Sequence, residues 1–204
     1  MHDHLPKYAG RLDALHQALT DDFRNIVRKV GAQPDQLILD VGCGAGFFTR
    51  LLAESGGHVI GLDNSAAFLR QASANAAGRK NIEFVNGDVE KLLQENASVD
   101  VIWSAHSMRS YPNIQQSLRE FRRVLRPGGL LAILESDNIH SVMLSWPPDL
   151  ELAVRQAEHR EIGDEDSYIG TYFPRFAARL LAANGFKDFQ PEYFLFYRYG
   201  PAGE

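Results

Sequence analysis

Five short apolar runs divide the middle of the chain: LILDV (37–41), HVIGL (58–62), NIEFV (81–85), VDVIW (99–103) and LLAILE (130–135). Helical spacing fills the gaps, over residues 46–55, 65–77, 89–94 and 113–125. Strands that read as continuous apolar runs are buried on both faces. Strands alternating with helices give a parallel sheet wrapped on both sides. The expected class is therefore α/β, a doubly wound, mainly parallel sheet. "RPGG" (126–129) is expected to stop the fourth helix at Pro127 and turn into the fifth strand through Gly128 and Gly129. Residues 8–30 carry Tyr8, Leu12, Leu15, Leu19, Phe23, Ile26, Val27 and Val30 at helical spacing, with a break and N-cap expected at Thr20. After the fifth strand a helix starting at Pro147-Pro148-Asp149 runs to about Ile162, and the polar stretch GDEDSYIG (163–170) reads as a loop. A further helix runs from near Thr171 to Asn184-Gly185, and FKDFQPEYFLFYRYG (186–200) reads as one strand or a short hairpin.

With 204 residues, one domain is expected: N-terminal cap helices over 1–35, a core over 37–136 and an acceptor side over 137–204. A net charge of -5 without a long basic run argues against nucleic acid as a partner. No apolar stretch approaches the roughly 20 residues a membrane span requires, so no membrane association is expected. The first residues, MHDHLPKYAG, lack the build of a signal peptide, and a cytoplasmic location is the default expectation. The single cysteine, Cys43, precludes an internal disulfide.

Directly after the first strand the chain reads Asp40-Val41-Gly42-Cys43-Gly44-Ala45-Gly46. The first strand–helix turn of such a sheet faces the ligand crevice. Glycines there reach backbone angles that a Cβ forbids and let a ligand approach the main chain. Asp63 ends the second strand, and its carboxylate can accept two hydroxyl hydrogen bonds at once, as a ribose needs. A dinucleotide loop would place a third glycine where Phe47 stands. Asp40, two residues before the first glycine, repels a pyrophosphate and favours a ligand carrying a positive charge.

In these residues the sequence resembles the class I S-adenosylmethionine-dependent methyltransferases, and more narrowly their ubiquinone and menaquinone methyltransferase-like, small-molecule branch. LDVGCGAG, GLDNS, VNGDVEKL, VDVIWSAHSM and LREFRRVLRPGGLLAILE match the family's motifs in order. The resemblance implies a Rossmann-like class I fold and S-adenosylmethionine as cofactor. It implies that Gly42 and Gly44 carry the methionine part on the backbone, with Cys43 and Gly46 in the same loop. Asp40 balances the positive end, and Asp63 holds the ribose with Asn64 beside the adenine. Asp88 and the Val89 amide meet the adenine edge, Ser104 the methionine amine, and Tyr8 closes the pocket. From the residues alone, Asp88 also reads as a cap on the helix expected at Val89, but Gly87 before it opens space and favours the cofactor role. Cys43 reads as a small loop residue.

Methyl transfer needs a nucleophile in line with the S–CH3 bond in a dry pocket. His106 and His140, just past the fourth and fifth strands, are the candidate proton acceptors; each also reads as a hydrogen-bonded rim residue. Glu135 and Asp137 are further candidates. Magnesium-dependent catechol-type relatives place Asp-Asn where Asp137-Asn138 stand, but Ser104-Ala105-His106 lacks their additional aspartate, so no metal is expected. SAHSM does not match the Asn-Pro-Pro-Tyr signature of the protein-amide and DNA-amine enzymes. The expected partner is a small-molecule acceptor, lined by Met143, Trp146, Tyr168 and Tyr172, although these residues equally read as helix packing. Trp103 reads as core. Arg119, Arg122, Arg123 and Arg126 read as the solvated face of the helix that buries Ile114, Leu118, Phe121 and Leu125. A missing seventh strand would leave the aromatic edge YFLFYRY (193–199) for a second copy to cover, a possible homodimer. The alternatives are transfer of another group of the same cofactor, such as aminopropyl, and a cofactor-binding partner subunit without activity.

Overall fold

The structure, a computed structural model, describes residue 5, residues 9–136, 147–160, 165–194 and residue 196. Tyr8, Asp137, Asn138, His140, Met143 and Trp146 lie outside the described residues. Five strands, β1 (Leu37–Val41), β2 (His58–Asp63), β3 (Ile82–Asn86), β4 (Val99–Ala105) and β5 (Leu125–Leu134), form one sheet in the order β3-β2-β1-β4-β5. All four pairings are parallel. The order runs backward from β1 to β3 and forward from β1 through β4 to β5, so the crevice of such a sheet opens beyond the carboxyl ends of β1 and β4.

Helices α1 (Ala9–Ala18), α2 (Thr20–Lys29), α3 (Phe47–Leu52), α4 (Ala66–Asn75), α5 (Ile114–Val124), α6 (Pro148–Arg160), α7 (Glu165–Thr171) and α8 (Phe173–Ala183) complete the described elements, with short 3-10 turns at Ala53–Ser55 and Met108–Ser110. Successive residues of β1 serve opposite faces. Leu39 and Val41 pack with Phe121 of α5 and Phe173 and Leu180 of α8, whereas Ile38 packs with Phe23 of α2 and Phe48 and Leu52 of α3. Trp103 belongs to the second core, and Ile114, Leu118, Phe121 and Leu125 are all buried in the first.

Several local expectations change. Thr20 does not cap α2: it is the helix's first residue, and its hydroxyl donates to the carbonyls of His16 and Gln17 at 2.7 and 3.1 Å. Residues 89–94 form a turn rather than a helix. Of its two leucines only Leu92 is buried and Leu93 is 67% exposed, so the segment lacks an apolar face. Arg123 holds it instead, donating to the carbonyls of Leu92 and Gln94 and to Glu120, so this arginine is a tether and not merely a solvated charge. "RPGG" lies inside β5 as a register shift, with Gly128 at φ +76°. The stretch expected as the loop 163–170 contains most of α7.

The described part of the C-terminal tail, residues 186–194, carries no strand. Its aromatic side chains divide: Phe189 and Tyr193 are exposed, whereas Phe194 and, just beyond, Phe196 pack on the α2–α3 core, Phe196 lies 5.6 Å from Phe23, and Lys29 pairs with Glu192 at 2.6 Å. The chain's own α2 thus covers part of the aromatic stretch that was expected to invite a second copy. Among the described residues, no helix is long and apolar enough to cross a membrane.

Candidate functional site

The turn after β1 is built by three left-handed glycines, at φ +72° (Gly42), +52° (Gly44) and +76° (Gly46), but the three have different surroundings. A Cβ on Gly42 would stand 2.8 Å from the Ser107 Cβ, and one on Gly46 would stand 3.0 Å from Phe84 and 3.1 Å from Ala72. These two glycines admit other parts of the protein. A Cβ on Gly44 would meet nothing within 4 Å. Gly44 is therefore the glycine of the loop that faces open space. Cys43 is buried, and a Cβ on Gly61 would reach within 3.1 Å of its Sγ; burial pushes its thiol well above the usual range, so it packs rather than reacts.

Asp63, at the end of β2, accepts from the Gly44 amide at 2.9 Å through Oδ2 and from the Ser65 amide at 2.8 Å through Oδ1. Each carboxylate oxygen retains a second acceptor position. Asn64 follows it, immediately before Ser65, the N-cap of α4. Asp40 is 1% exposed and accepts from the Thr49 hydroxyl at 2.5 Å. Burial pushes its carboxyl up to about 7; the Thr49 bond opposes this, the Asp63 charge adds to it, and no cation among the described residues acts on it. A buried carboxylate in that state favours a cationic ligand.

The end of β4 closes the other side. Ser104 is fully buried, and its hydroxyl lies 2.9 Å from both the Ser107 and Tyr111 hydroxyls. Tyr111 donates in turn to the Val41 carbonyl at 3.3 Å, one residue before Gly42. Glu135, just past β5, accepts from the Ser107 and Met108 amides at 2.8 and 2.9 Å. His106 stands between these groups at φ +53°, a conformation that non-glycine residues rarely adopt. Its ring centroid lies about 6 Å from those of His16 (6.3 Å), Phe23 (6.0 Å) and Phe48 (6.1 Å). Burial lowers the His106 pKa. His16 stacks on Phe47 at 4.2 Å, and burial, helped by His106 and Arg50, lowers its pKa to about 4. The Nε2 atoms of both histidines lack a hydrogen-bond partner among the described residues.

A cavity of about 270 Å³ lies on the outer side of the loop, lined by Asp13, His16, Gln17, Ala45, Phe47, Arg50, Gln71 and Asn75. The Ala45 carbonyl is held there by Asn75 and Arg50 at 3.1 and 3.3 Å. Asp40, Asp63 and Ser104 do not line it, whereas His16 and the glycine-turn residues Ala45 and Phe47 do. Asp88 is exposed and accepts from the Glu90 amide at 2.9 Å, capping a turn and not a helix; the space beside Gly87 is taken by Leu62, whose Cδ1 would be 2.8 Å from a Cβ. On the acceptor side, Gly170 brings α7 against the Met108 carbonyl, 2.7 Å from where a Cβ would stand. Tyr168 lies 5.0 Å from Tyr172 and 5.8 Å from Phe176, so both tyrosines are at least in part packing residues. Among the described residues, no group of three or more His, Cys, Asp or Glu could hold a metal.

The structure brings Asp40, Gly42, Gly44, Asp63, Ser104 and His106 to the carboxyl ends of β1, β2 and β4, and adds Thr49, Ser107, Tyr111 and His16 as contacts that the motifs do not single out. Thr49 and His16 could not be found from spacing, because their partners come from other elements.

Residues 39–133 match the methyltransferase domain family. Over 115 residues the chain is 36% identical to malonyl-[acyl-carrier protein] O-methyltransferase from Erwinia billingiae, covering 55% of this chain and 45% of the relative. Over 116 residues it is 32% identical to demethylmenaquinone methyltransferase from Staphylococcus aureus, covering 55% and 48%. The chain thus spans about half the length of the curated relatives it matches. Its fold is that of an S-adenosylmethionine-dependent methyltransferase from Aquifex aeolicus, with a TM-score of 0.62 at 22% identity over 79% of this chain and 77% of that one. Open parallel sheet, glycine turn and sequence matches agree in likening residues 39–133 to the methyltransferase domain family, on a sheet of the fold that the Aquifex aeolicus enzyme carries.

Proposed function

We propose that this chain transfers a methyl group from S-adenosylmethionine to a small organic acceptor and releases S-adenosylhomocysteine. The observation that carries this reading is the pairing of Gly44, open on its Cβ side, with the Asp63 carboxylate that hydrogen-bonds its amide, beside a buried Asp40 on which no cation among the described residues acts. The residues fit the cofactor: Gly44 lines its methionine end, in a turn that Gly42 lets pack on Ser107, with Ser104 beyond; Asp63 takes the ribose hydroxyls, and Asn64, Asp88 and Val89 take the adenine. When bound, the cofactor supplies a methyl group that is already electrophilic. The chain's own contribution is then to orient and to exclude water. Where the acceptor arrives protonated, His106 is the proton acceptor at the β4 end, and its lowered pKa keeps its imidazole neutral at pH 7. Tyr8 and His140 are proposed for the rim. The acceptor enters over the α7 side and is held by the residues between β5 and α8.

The test is incubation with methyl-tritiated S-adenosylmethionine and a deproteinised pool of small metabolites. Tritium should pass to an extractable small molecule as S-adenosylhomocysteine accumulates, and His106→Asn should slow transfer more than it weakens cofactor binding. Tight binding with no transfer to any pool would refute the enzyme reading in favour of a non-catalytic subunit. Loss of an aminopropyl group would point to another transfer.

A further inference from the structure

We propose that Glu135 is a positioning residue for the cofactor crevice, fixing its β4 wall through the backbone amides of Ser107 and Met108. This rests on the cofactor reading above. The end of β5 grips three successive amides: Leu134 accepts from His106 at 2.9 Å, and Glu135 Oε1 accepts from Ser107 at 2.8 Å and Met108 at 2.9 Å. The residue at the head of this turn, His106, is left-handed without being glycine. Such a conformation persists only where the surroundings over-determine it, and it concentrates at functional sites.

The gripped segment presses directly on the glycine loop. The Ser107 Cβ would lie 2.8 Å from a Cβ on Gly42, and the Ser107 hydroxyl reaches Ser104 at 2.9 Å, Tyr111 at 3.0 Å and the Val41 carbonyl at 3.5 Å. Moving Ser107 therefore moves the wall against which Gly42 rests. A single anionic oxygen receiving two consecutive N–H groups holds them more firmly than a neutral carbonyl would, because charge-assisted hydrogen bonds are the stronger class. Burial raises the Glu135 carboxyl to about 7, against the two amide bonds. Among the described residues, the titratable groups around it are Tyr111, pushed upward mainly by burial and also by Glu135 and Asp40, and the neighbouring His106. Among the described residues, the groups that act on the Glu135 carboxyl are the Met108 and Ser107 amides. The grip consequently tightens as pH rises through about 7.

The experiment is calorimetric titration of S-adenosylhomocysteine into the wild type and Glu135→Gln between pH 5.5 and 8.5. Asp40 is present in both proteins, so its own titration cancels in the ratio of dissociation constants. That ratio should stay near one at pH 5.5 and grow to roughly tenfold at pH 8.5. A ratio that does not change with pH, whether one or ten, makes Glu135 a packing residue and overturns the proposal. Absence of binding by the wild type at every pH would sink the cofactor reading and this proposal with it. A readout that needs no variant is the pair of amide protons of Ser107 and Met108, which should titrate together near neutrality; static amides overturn the proposal too.

Discussion

Replacing Gly42 or Gly44 by alanine asks the same of the backbone and different things of the surroundings. Both residues are left-handed, at φ +72° and +52°, so each substitution costs roughly 1–2 kcal/mol in backbone strain. At Gly44 the new methyl meets nothing within 4 Å, and strain is the whole cost. At Gly42 it lands 2.8 Å from the Ser107 Cβ and 3.1 Å from its Oγ, on a residue held by Glu135 and two hydroxyls, so it cannot turn aside. Overpacking of this kind adds roughly 1–3 kcal/mol. At about 2–4 °C per kcal/mol for a chain of this size, Gly44→Ala should lower the Tm by roughly 2–8 °C and Gly42→Ala by about 4–20 °C. Cofactor affinity should rank them the other way once stability is accounted for. The Gly44 methyl fills the space proposed for the ligand, and Gly44→Ala should weaken S-adenosylhomocysteine at least tenfold in calorimetry at a temperature where both variants are folded. Equal destabilisation of the two variants, or undiminished binding by Gly44→Ala, would refute the distinction between a glycine kept for packing and one kept for the ligand.

The ligand-free protein should lose stability as pH rises through about 7. The Asp40 and Glu135 carboxyls are both raised to about 7 by burial, so their contribution is full below an unfolded value near 4 and disappears above the folded one. Asp40→Asn should flatten the fall in Tm between about pH 5 and 7, and an unchanged slope would contradict this. On the acid side, the depressed His16 contributes stability that is present above its ordinary value and lost as pH falls through about 4, which His16→Gln should remove from the melting profile. Thr49→Val should cost about 1–3 kcal/mol at pH 8 and less at pH 5, because it strips a buried carboxylate of its donor; urea titration at the two pH values checks the sign. Phe23→Ala should cost about 3–5 kcal/mol and release α1 and the tail together, since the 1% exposed ring contacts His16, Phe47, Phe48 and Phe196. Intact hydrogen-exchange protection of α1 in that variant would count against the aromatic cluster as its anchor.

The sheet was legible because each strand carries an apolar run, most fully buried in β1 and β4 and only partly buried in the edge strands β3 and β5. Helices with a one-sided apolar face were legible for the same reason. The misread segments depend on partners far away in sequence. Residues 89–94 have leucines but no second buried position, and what fixes them is Arg123, about thirty residues on. Helix α7 looked like a polar loop; its place depends on Gly170 fitting under the Met108 carbonyl. Gly87 looked like room for a ligand, and Leu62 fills that room. In the candidate site, the acidic and glycine positions stood out because their types are unusual after a strand. The groups that tune them did not. Thr49 reaches Asp40 from a helix, and Tyr111 and Ser107 reach Ser104 around a turn with no regular period. His16 looked like a helical position on an amphipathic segment, and only the fold sets it over Phe47 and beside His106.

The central claim is that the Gly44–Asp63–Asp40 crevice binds S-adenosylmethionine. Thermal unfolding with S-adenosylmethionine, S-adenosylhomocysteine and NAD, run in parallel on the same protein, tests it most directly. A ligand at 100 times its dissociation constant adds about 2.7 kcal/mol, which for this chain raises the midpoint by roughly 5–11 °C. The account predicts that rise with both sulfur ligands and none with NAD, and predicts that Asp63→Ala abolishes it. A midpoint unmoved by either sulfur ligand at millimolar concentration, or moved equally by NAD, would contradict it.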